Sequence, residues 1–221
     1  QKSTKPKQSL IVHHPIANNQ MSIPVNVYAE STPNPSALKF VSSRMLLFEG
    51  SVEYSSPLEA QISPLAQGLF SFSGVKSVFI SSNFITVTKE GEIDWYEISN
   101  ILREYIRGFL MSGEKVFLSN PLESSPEAEK HNDTASATPE PIESPDLDKR
   151  ILQLLEEYGS PAVAQDGGEI QFRSFRDGVV TVALRGSCSG CPSSTLTLKS
   201  GIENLLKSMM PEVKEVVAAA D

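Results

Sequence analysis

Cysteine is scarce in this chain: its 221 residues include two, and both lie in the run Cys188-Ser189-Gly190-Cys191. A disulfide-stapled secreted fold would carry more cysteines at wider spacing, so the composition indicates a reducing compartment. Apolar runs long enough to cross a bilayer are also missing, which predicts that the chain does not insert into a membrane. General nucleic-acid binding is not expected either, because 19 Lys and Arg against 27 Asp and Glu give a net charge of −8.

The acidic excess is greatest between residues 119 and 145, where one lysine stands among six acidic residues and five prolines. This segment has too little apolar surface to offset its ordering entropy, so we expect a disordered, acidic, proline-rich linker. It separates a first domain at 24–118 from a second domain at 146–221. Residues 1–23 are expected to form a flexible tail. Both domains mix short strands with amphipathic helices, which predicts two small α+β domains.

The tail has neither the Arg-rich amphipathic character of a transit peptide nor the apolar centre of a signal peptide. We therefore expect a bacterial cytoplasmic protein, with a mitochondrial or plastid matrix as the alternative. The chain begins with Gln1, so the tail is native, processed or truncated.

In the first domain, β-branched and aromatic runs predict strands at 25–30, 37–41, 75–80 and 84–88, the last two joined by a turn at Ser82-Asn83. A short helix is predicted at 64–70, with Ser63 as its N-cap and Pro64 in its first turn. Apolar residues at helical spacing predict a longer helix from about 93 to 110, which Gly113 ends. The domain contains no cysteine, and we expect it to have a protein-contact or regulatory role.

The second domain is predicted to begin with a helix capped by Ser144 and ended by Gly159. Strands at 170–175 and 179–184 follow, joined by a tight Asp177-Gly178 turn. A second helix runs from the cysteines to Pro211, and a third strand is expected at 213–217.

The cysteine pair is expected in a loop at the N-terminus of the second helix, where the helix dipole lowers a cysteine pKa and favours the metal-binding thiolate. Two thiolates are half of the four protein ligands that structural zinc or a cubane iron–sulfur cluster takes, so a second copy of the chain is the simplest source of the rest. Four interpretations remain at this point: an incidental pair or local disulfide, a thioredoxin-like redox dithiol, a zinc-bridged interaction module, and an iron–sulfur cluster shared between chains.

The sequence around the pair resembles the C-terminal domain of NifU-like, or Nfu-type, proteins. The similar segments are Gln165-Asp166-Gly167-Gly168-Glu169, the hairpin residues 177–180, the run from Gly186 to Ser194, Thr197-Leu198-Lys199, Gly201-Ile202 and Met210-Pro211-Glu212-Val213. The first domain resembles the Nfu N-terminal domain through Thr32-Pro33-Asn34-Pro35, 38–40, 63–66, 74–79 and 84–89. One difference is Glu169, where the family usually has Asp.

The resemblance implies an iron–sulfur cluster scaffold or carrier that is not an enzyme. Cys188 and Cys191 of two chains would ligate one [4Fe-4S] cluster, or a [2Fe-2S] cluster, within a homodimer. The implied partners are an upstream cluster-assembly scaffold and recipient apo iron–sulfur proteins. The run of motifs in both domains favours this interpretation over the redox dithiol and the zinc module.

Overall fold

The structure is a computed structural model that describes residues 24–122, 145–189 and 192–219. It confirms the predicted class, because both domains combine helices with a β-sheet. Ser144, the expected N-cap of the first helix of the second domain, lies outside the described residues, as do the tail and residues 123–144 of the expected linker. The domain boundaries therefore stay a prediction.

The first domain contains five strands, two α-helices and a short 3-10 turn at Glu59–Ile62. Its elements in chain order are β1 (Val27–Ser31), β2 (Ala37–Ser42), β3 (Ser51–Tyr54), α1 (Pro64–Phe70), β4 (Val75–Ser81), β5 (Phe84–Lys89) and α2 (Trp95–Ser112). The strands form one antiparallel sheet in the order β1-β2-β5-β4-β3. The predicted strands and helices are all present, whereas β3 was not predicted.

The two helices of the first domain cover one face of this sheet. Burial of apolar side chains between the layers is the main source of stability. The buried residues of the core include Phe40, Val52, Leu65, Leu69, Val78, Ile85, Leu102 and Ile106. Successive strand residues point to opposite faces, so the residues between these core positions form a second face. We call that second face, opposite α1 and α2, the outer sheet face.

The described residues of the second domain form three strands and three α-helices. Its elements are α3 (Pro145–Leu154), α4 (Ser160–Gln165), β6 (Gly168–Arg176), β7 (Val179–Gly186), α5 (Pro192–Met209) and β8 (Glu215–Ala218), with a π-helical turn at Leu155–Gly159 between α3 and α4. The sheet order is β6-β7-β8, antiparallel for the first pair and parallel for the second. Asp177 and Gly178 have φ of 53° and 88°, which confirms the predicted tight turn.

The expectation that Gly159 ends the first helix of the second domain is wrong. Gly159 keeps a helical φ of −77°, and the chain continues from the π-helical turn into α4. The next residue but one is Pro161, which has no N–H to donate to a helical ladder. The wider π-helical turn ends just before the Ser160-Pro161 pair, and the helical backbone continues from it into α4.

No helix within the described parts of the chain is both long and apolar enough to cross a membrane.

Candidate functional site

The candidate site lies between the end of β7 and the start of α5. Gly186 ends β7 with a φ of 68°, a left-handed conformation that glycine adopts at little cost, and Cys188 follows two residues later. The structure places Cys188 in this connection, as the sequence predicts. Gly190 and Cys191 lie outside the described residues, so the position of the second thiol is not described.

Cys188 is buried against the glycine loop at residues 166–168, with 3 % of its surface exposed. A Cβ atom added to Gly168 would lie 2.7 Å from the Cys188 Sγ and 2.5 Å from the Arg185 carbonyl oxygen, so a side chain at 168 would collide with both. The Ser187 N–H donates to the Gly167 carbonyl over 3.2 Å, and the Ser187 hydroxyl donates to the Asp166 carbonyl. The two loops therefore form one unit around the sulfur.

Burial raises the pKa of the Cys188 thiol above its ordinary value of 9.0. A hydrogen bond with Ser187, whose Oγ lies 3.7 Å from Sγ, lowers the pKa, and the Asp166 and Glu53 carboxylates raise it further. The expectation of a lowered pKa is therefore wrong for Cys188 in this conformation, because desolvation raises the pKa more than the Ser187 hydrogen bond lowers it. Metal binding here requires loss of the thiol proton and exposure of the sulfur.

A mostly apolar cleft of about 420 Å³ opens beside Cys188. Its walls come from the end of the π-helical turn, α4 and α5, and Pro33 of the first domain contributes one edge. The lining residues include Tyr158, Ala162, Leu198, Ile202 and Leu205. Tyr158 and Leu196, the latter on the neighbouring turn of α5, are 45 % and 65 % exposed.

The first domain contacts the cysteine connection directly, which the sequence did not predict. The Asn34 side-chain amide donates to the Ser187 carbonyl over 2.9 Å, and the Gly186 N–H donates to a Glu53 carboxylate oxygen over 3.1 Å. Asn34 was recognised as part of a turn, but nothing in the local pattern indicated a partner 153 positions away. Glu53 lies on β3, the strand that was missed.

The described residues contain no group of three or more His, Cys, Asp and Glu side chains placed to hold a metal ion.

Two family models match the sequence. "Scaffold protein Nfu/NifU N terminal" matches residues 27–113, and "NifU-like domain" matches residues 151–217. The human protein "NFU1 iron-sulfur cluster scaffold homolog, mitochondrial" is 37 % identical over 196 residues, which are 88 % of this chain and 72 % of that protein. The chain belongs to the Nfu/NifU scaffold family.

Another Nfu/NifU relative is "NifU-like protein 5, mitochondrial" of Arabidopsis thaliana, 35 % identical over 86 % of this chain and 66 % of its own length. The solution structure of a NifU-like protein from Saccharomyces cerevisiae is 29 % identical and covers 49 % of this chain and 95 % of its own, with a TM-score of 0.41. At that score the likeness carries no inference about the fold.

Proposed function

We propose that this protein is an iron–sulfur cluster scaffold or carrier in which Cys188 and Cys191 from each of two chains ligate one [4Fe-4S] cluster. The observation that carries the proposal is that the chain's two cysteines are three positions apart in sequence, and that the Cys188 sulfur lies against the glycine loop in a member of the Nfu/NifU family. Relatives named as iron–sulfur cluster scaffolds support the same cargo.

Ligand number supports sharing the cluster between chains. Each chain supplies two thiolates, and iron–sulfur clusters of both common types take four protein ligands. A two-fold symmetric pair of chains supplies four thiolates at one interface. The same arithmetic holds for a [2Fe-2S] cluster, so the iron-to-chain ratio decides between the two.

Delivery of the cluster is a ligand exchange. As each iron–sulfur(Cys) bond to the scaffold breaks, a thiolate of the recipient apoprotein forms a new bond to the same iron. The scaffold thiolate regains a proton, and the oxidation states of the irons do not change. This chemistry needs no catalytic acid, base or nucleophile, and it fits a scaffold that is not an enzyme.

We infer a mitochondrial matrix location. The bacterial cytoplasm expected from the tail finds no support among the relatives, because the human and Arabidopsis proteins carry mitochondrial names. The partners that we propose are an upstream cluster-assembly scaffold and recipient apo iron–sulfur proteins of that compartment.

The test is anaerobic reconstitution with iron and sulfide, followed by iron analysis, visible spectroscopy and sedimentation. We expect about four irons per two chains and a doubling of mass on loading. Cys188→Ser and Cys191→Ser should each abolish stable loading, whereas the matched serine variant Ser208→Ala, on the exposed surface of α5, should load like the wild type.

A cluster-loaded monomer would contradict the shared site. Equal loading after both cysteines are replaced would contradict the ligand assignment. Disulfide turnover with a reductase, in protein that binds no iron, would instead support the redox dithiol.

A further inference from the structure

A straight row of side chains crosses the outer sheet face of the first domain. Strand register pairs Lys39 of β2 with Thr86 of β5, Thr86 with Phe79 of β4, and Phe79 with Glu53 of β3. These four side chains alternate with core residues along their strands, so all of them point away from α1 and α2. We call them the docking row.

Every member of the docking row contacts the loops that surround Cys188. The Lys39 ammonium donates to the Gln165 carbonyl over 3.2 Å, and the Thr86 hydroxyl donates to the Gly167 carbonyl over 2.6 Å. A Cβ atom on Gly186 would lie 3.0 Å from the Phe79 ring, and the Glu53 carboxylate accepts from the Gly186 N–H. The row therefore holds both the glycine loop and the start of the cysteine connection.

Neighbouring residues extend the contact on both sides of the docking row. Ser51 of β3 donates its hydroxyl to the Glu169 carboxylate, and Asn34 donates to the Ser187 carbonyl. Val41, Phe79 and Phe84 form a small apolar cluster that packs against Ala164 of α4. The interface thus combines an apolar cluster with hydrogen bonds, and two of these bonds, from Thr86 and Asn34, are buried.

Burial shows that this face is covered rather than solvated. Thr86, Phe79 and Lys39 are 0 %, 1 % and 8 % exposed, although the helices of the first domain lie on the opposite face of the sheet. A threonine and a lysine are seldom this buried without specific partners. Backbone carbonyls of the second domain accept from both side chains, and the Lys39 ammonium also pairs with the Glu30 carboxylate of β1 over 3.1 Å.

We propose that the outer sheet face is a docking surface for the chain's own glycine loop and for Gly186-Ser187 beside Cys188. Docking holds a closed form, which must open before Cys188 can ligate a shared cluster. The docking itself stands on the contacts above, whereas its effect on the cluster rests on the proposed function. A thiol that is 3 % exposed cannot reach an iron that is also bonded to a second chain. Exposing it requires the connection to move, and the bonds from Asn34 and Glu53 to Ser187 and Gly186 resist that movement.

The covalent link between the domains makes a modest interface sufficient. Two domains tethered on one chain have a raised effective concentration, which is of the order of millimolar for a short tether. Contacts that would not hold two separate proteins together can then populate the closed form, and a recipient or second copy can still displace them. A recipient or second copy shifts the equilibrium between the closed and open forms only by the difference between its affinities for the two forms.

The first test needs no iron. In a Cys191→Ser background Cys188 is the sole cysteine, so its alkylation rate by iodoacetamide reports how often the thiol is exposed. Thr86→Arg places a long charged side chain where the Thr86 hydroxyl contacts the Gly167 carbonyl, which should displace the glycine loop. We expect alkylation of Cys188 to be roughly tenfold faster. Amide exchange at residues 165–168 and 186–189 should accelerate in parallel.

The matched control is Thr88→Arg, two residues along the same strand and on the same sheet face. Thr88 is partly exposed and borders a groove of about 450 Å³, so an arginine has room there. We expect its alkylation rate to equal that of the Cys191→Ser parent. Asn34→Ala, which removes the donor to the Ser187 carbonyl without changing the charge near the thiol, is the second disrupting variant and decides the question if Thr86→Arg does not fold.

Docking is overturned if a folded disrupting variant reacts and exchanges at the parental rate. If these variants do speed alkylation, reconstitution of the same substitutions with both cysteines present tests the second step, and we expect faster cluster uptake than in the wild type. Unchanged uptake with faster alkylation would overturn the regulatory role while leaving the docking. A chain that binds no cluster at all would overturn the proposed function, and the alkylation result would be unaffected.

Discussion

Gly168 has no side chain, and this leaves the room that the Cys188 sulfur occupies. One added methyl group would collide with the sulfur. Gly201 on α5 is the natural comparison, because a Cβ atom added there would meet nothing within 4 Å. Packing therefore requires a glycine at position 168, whereas Gly201 lowers the stability of α5 without a packing reason.

We expect Gly168→Ala to destabilise the second domain by about 1–3 kcal/mol, because the new methyl group collides with the thiol and a backbone carbonyl. Gly201→Ala should stabilise the same domain by about 0.5–1 kcal/mol, since alanine loses less conformational entropy in a helix. Urea unfolding of both variants measures the difference. Equal stabilities would contradict the packing around Cys188.

Tyr54 provides a pH-dependent test in the core of the first domain. Its hydroxyl is buried and finds no hydrogen-bond partner among the described residues, and burial raises the pKa of Tyr54 from 10.0 to about 12. The folded protein thus holds this proton more tightly than the unfolded chain does. The stability that this contributes is complete below pH 10 and is lost as the pH rises towards 12.

Tyr54→Phe should therefore reduce the alkaline loss of stability by up to about 3 kcal/mol, at about 1.4 kcal/mol for each pKa unit. Near neutral pH the variant should be at least as stable as the wild type, because an unpaired buried hydroxyl is removed. Urea unfolding from neutral to strongly alkaline pH checks both expectations. A parallel pH dependence in the two proteins would show that Tyr54 ionises without penalty.

Residue-level prediction from the sequence found the cysteines and the glycine loop, because their spacing is local. It missed Asn34 and Glu53, which reach the cysteine connection from more than 130 positions away. It also gave the wrong direction for the Cys188 pKa. The start of a helix can be predicted from a sequence. The burial that raises the pKa of the Cys188 thiol depends on packing between segments and cannot.

Elements with a clear period were predicted well, and elements without one were not. The apolar stripe of α2 and the β-branched and aromatic runs of β4 and β5 were recognised, whereas β3 has four residues and a single β-branched member. The π-helical turn was missed because a glycine followed by a Ser-Pro pair reads as a helix end. Its wide turn is seen only in the backbone.

Helix caps offer the sharpest test at this scale. The Ser63 hydroxyl accepts from the Ala66 N–H over 3.3 Å, donates to the Val116 carbonyl over 2.9 Å and is fully buried. The Asp94 carboxylate caps α2 by accepting from the Tyr96 N–H over 3.0 Å in an exposed position.

Ser63→Ala should cost about 2 kcal/mol of unfolding free energy, because it removes a buried cap and leaves the partly buried Val116 carbonyl without this donor. Asp94→Ala should cost about 1 kcal/mol, the usual value for an exposed cap. Both are measured by urea unfolding of the full chain. A larger loss at Asp94 than at Ser63 would contradict the packing described for α1.

At the scale of the whole molecule, the arrangement of the two domains follows from contacts that no local pattern indicates. Threonine and lysine on strands read as solvent-facing residues, and here they are covered by another domain. The sequence predicted two domains separated by a linker, with no contact between them indicated. The contacts of the docking row instead favour a closed form.

Small-angle X-ray scattering tests this arrangement. The apo wild-type chain should have a smaller radius of gyration than Thr86→Arg, and Thr88→Arg should match the wild type. The reason is that two separated domains lie farther apart on average than two docked ones, which increases the radius of gyration. Identical radii for all three proteins would mean that the domains are either never or always docked, and the wild-type value decides which.

The apolar cluster in the interface has a consequence for the expression of the first domain alone. A fragment that stops at residue 122 keeps Val41, Phe79 and Phe84 but loses Ala164, which shields them. Contiguous exposed apolar surface promotes self-association. Such a fragment should aggregate at concentrations where the intact chain stays dispersed, and a polar substitution at Phe84 should restore its solubility.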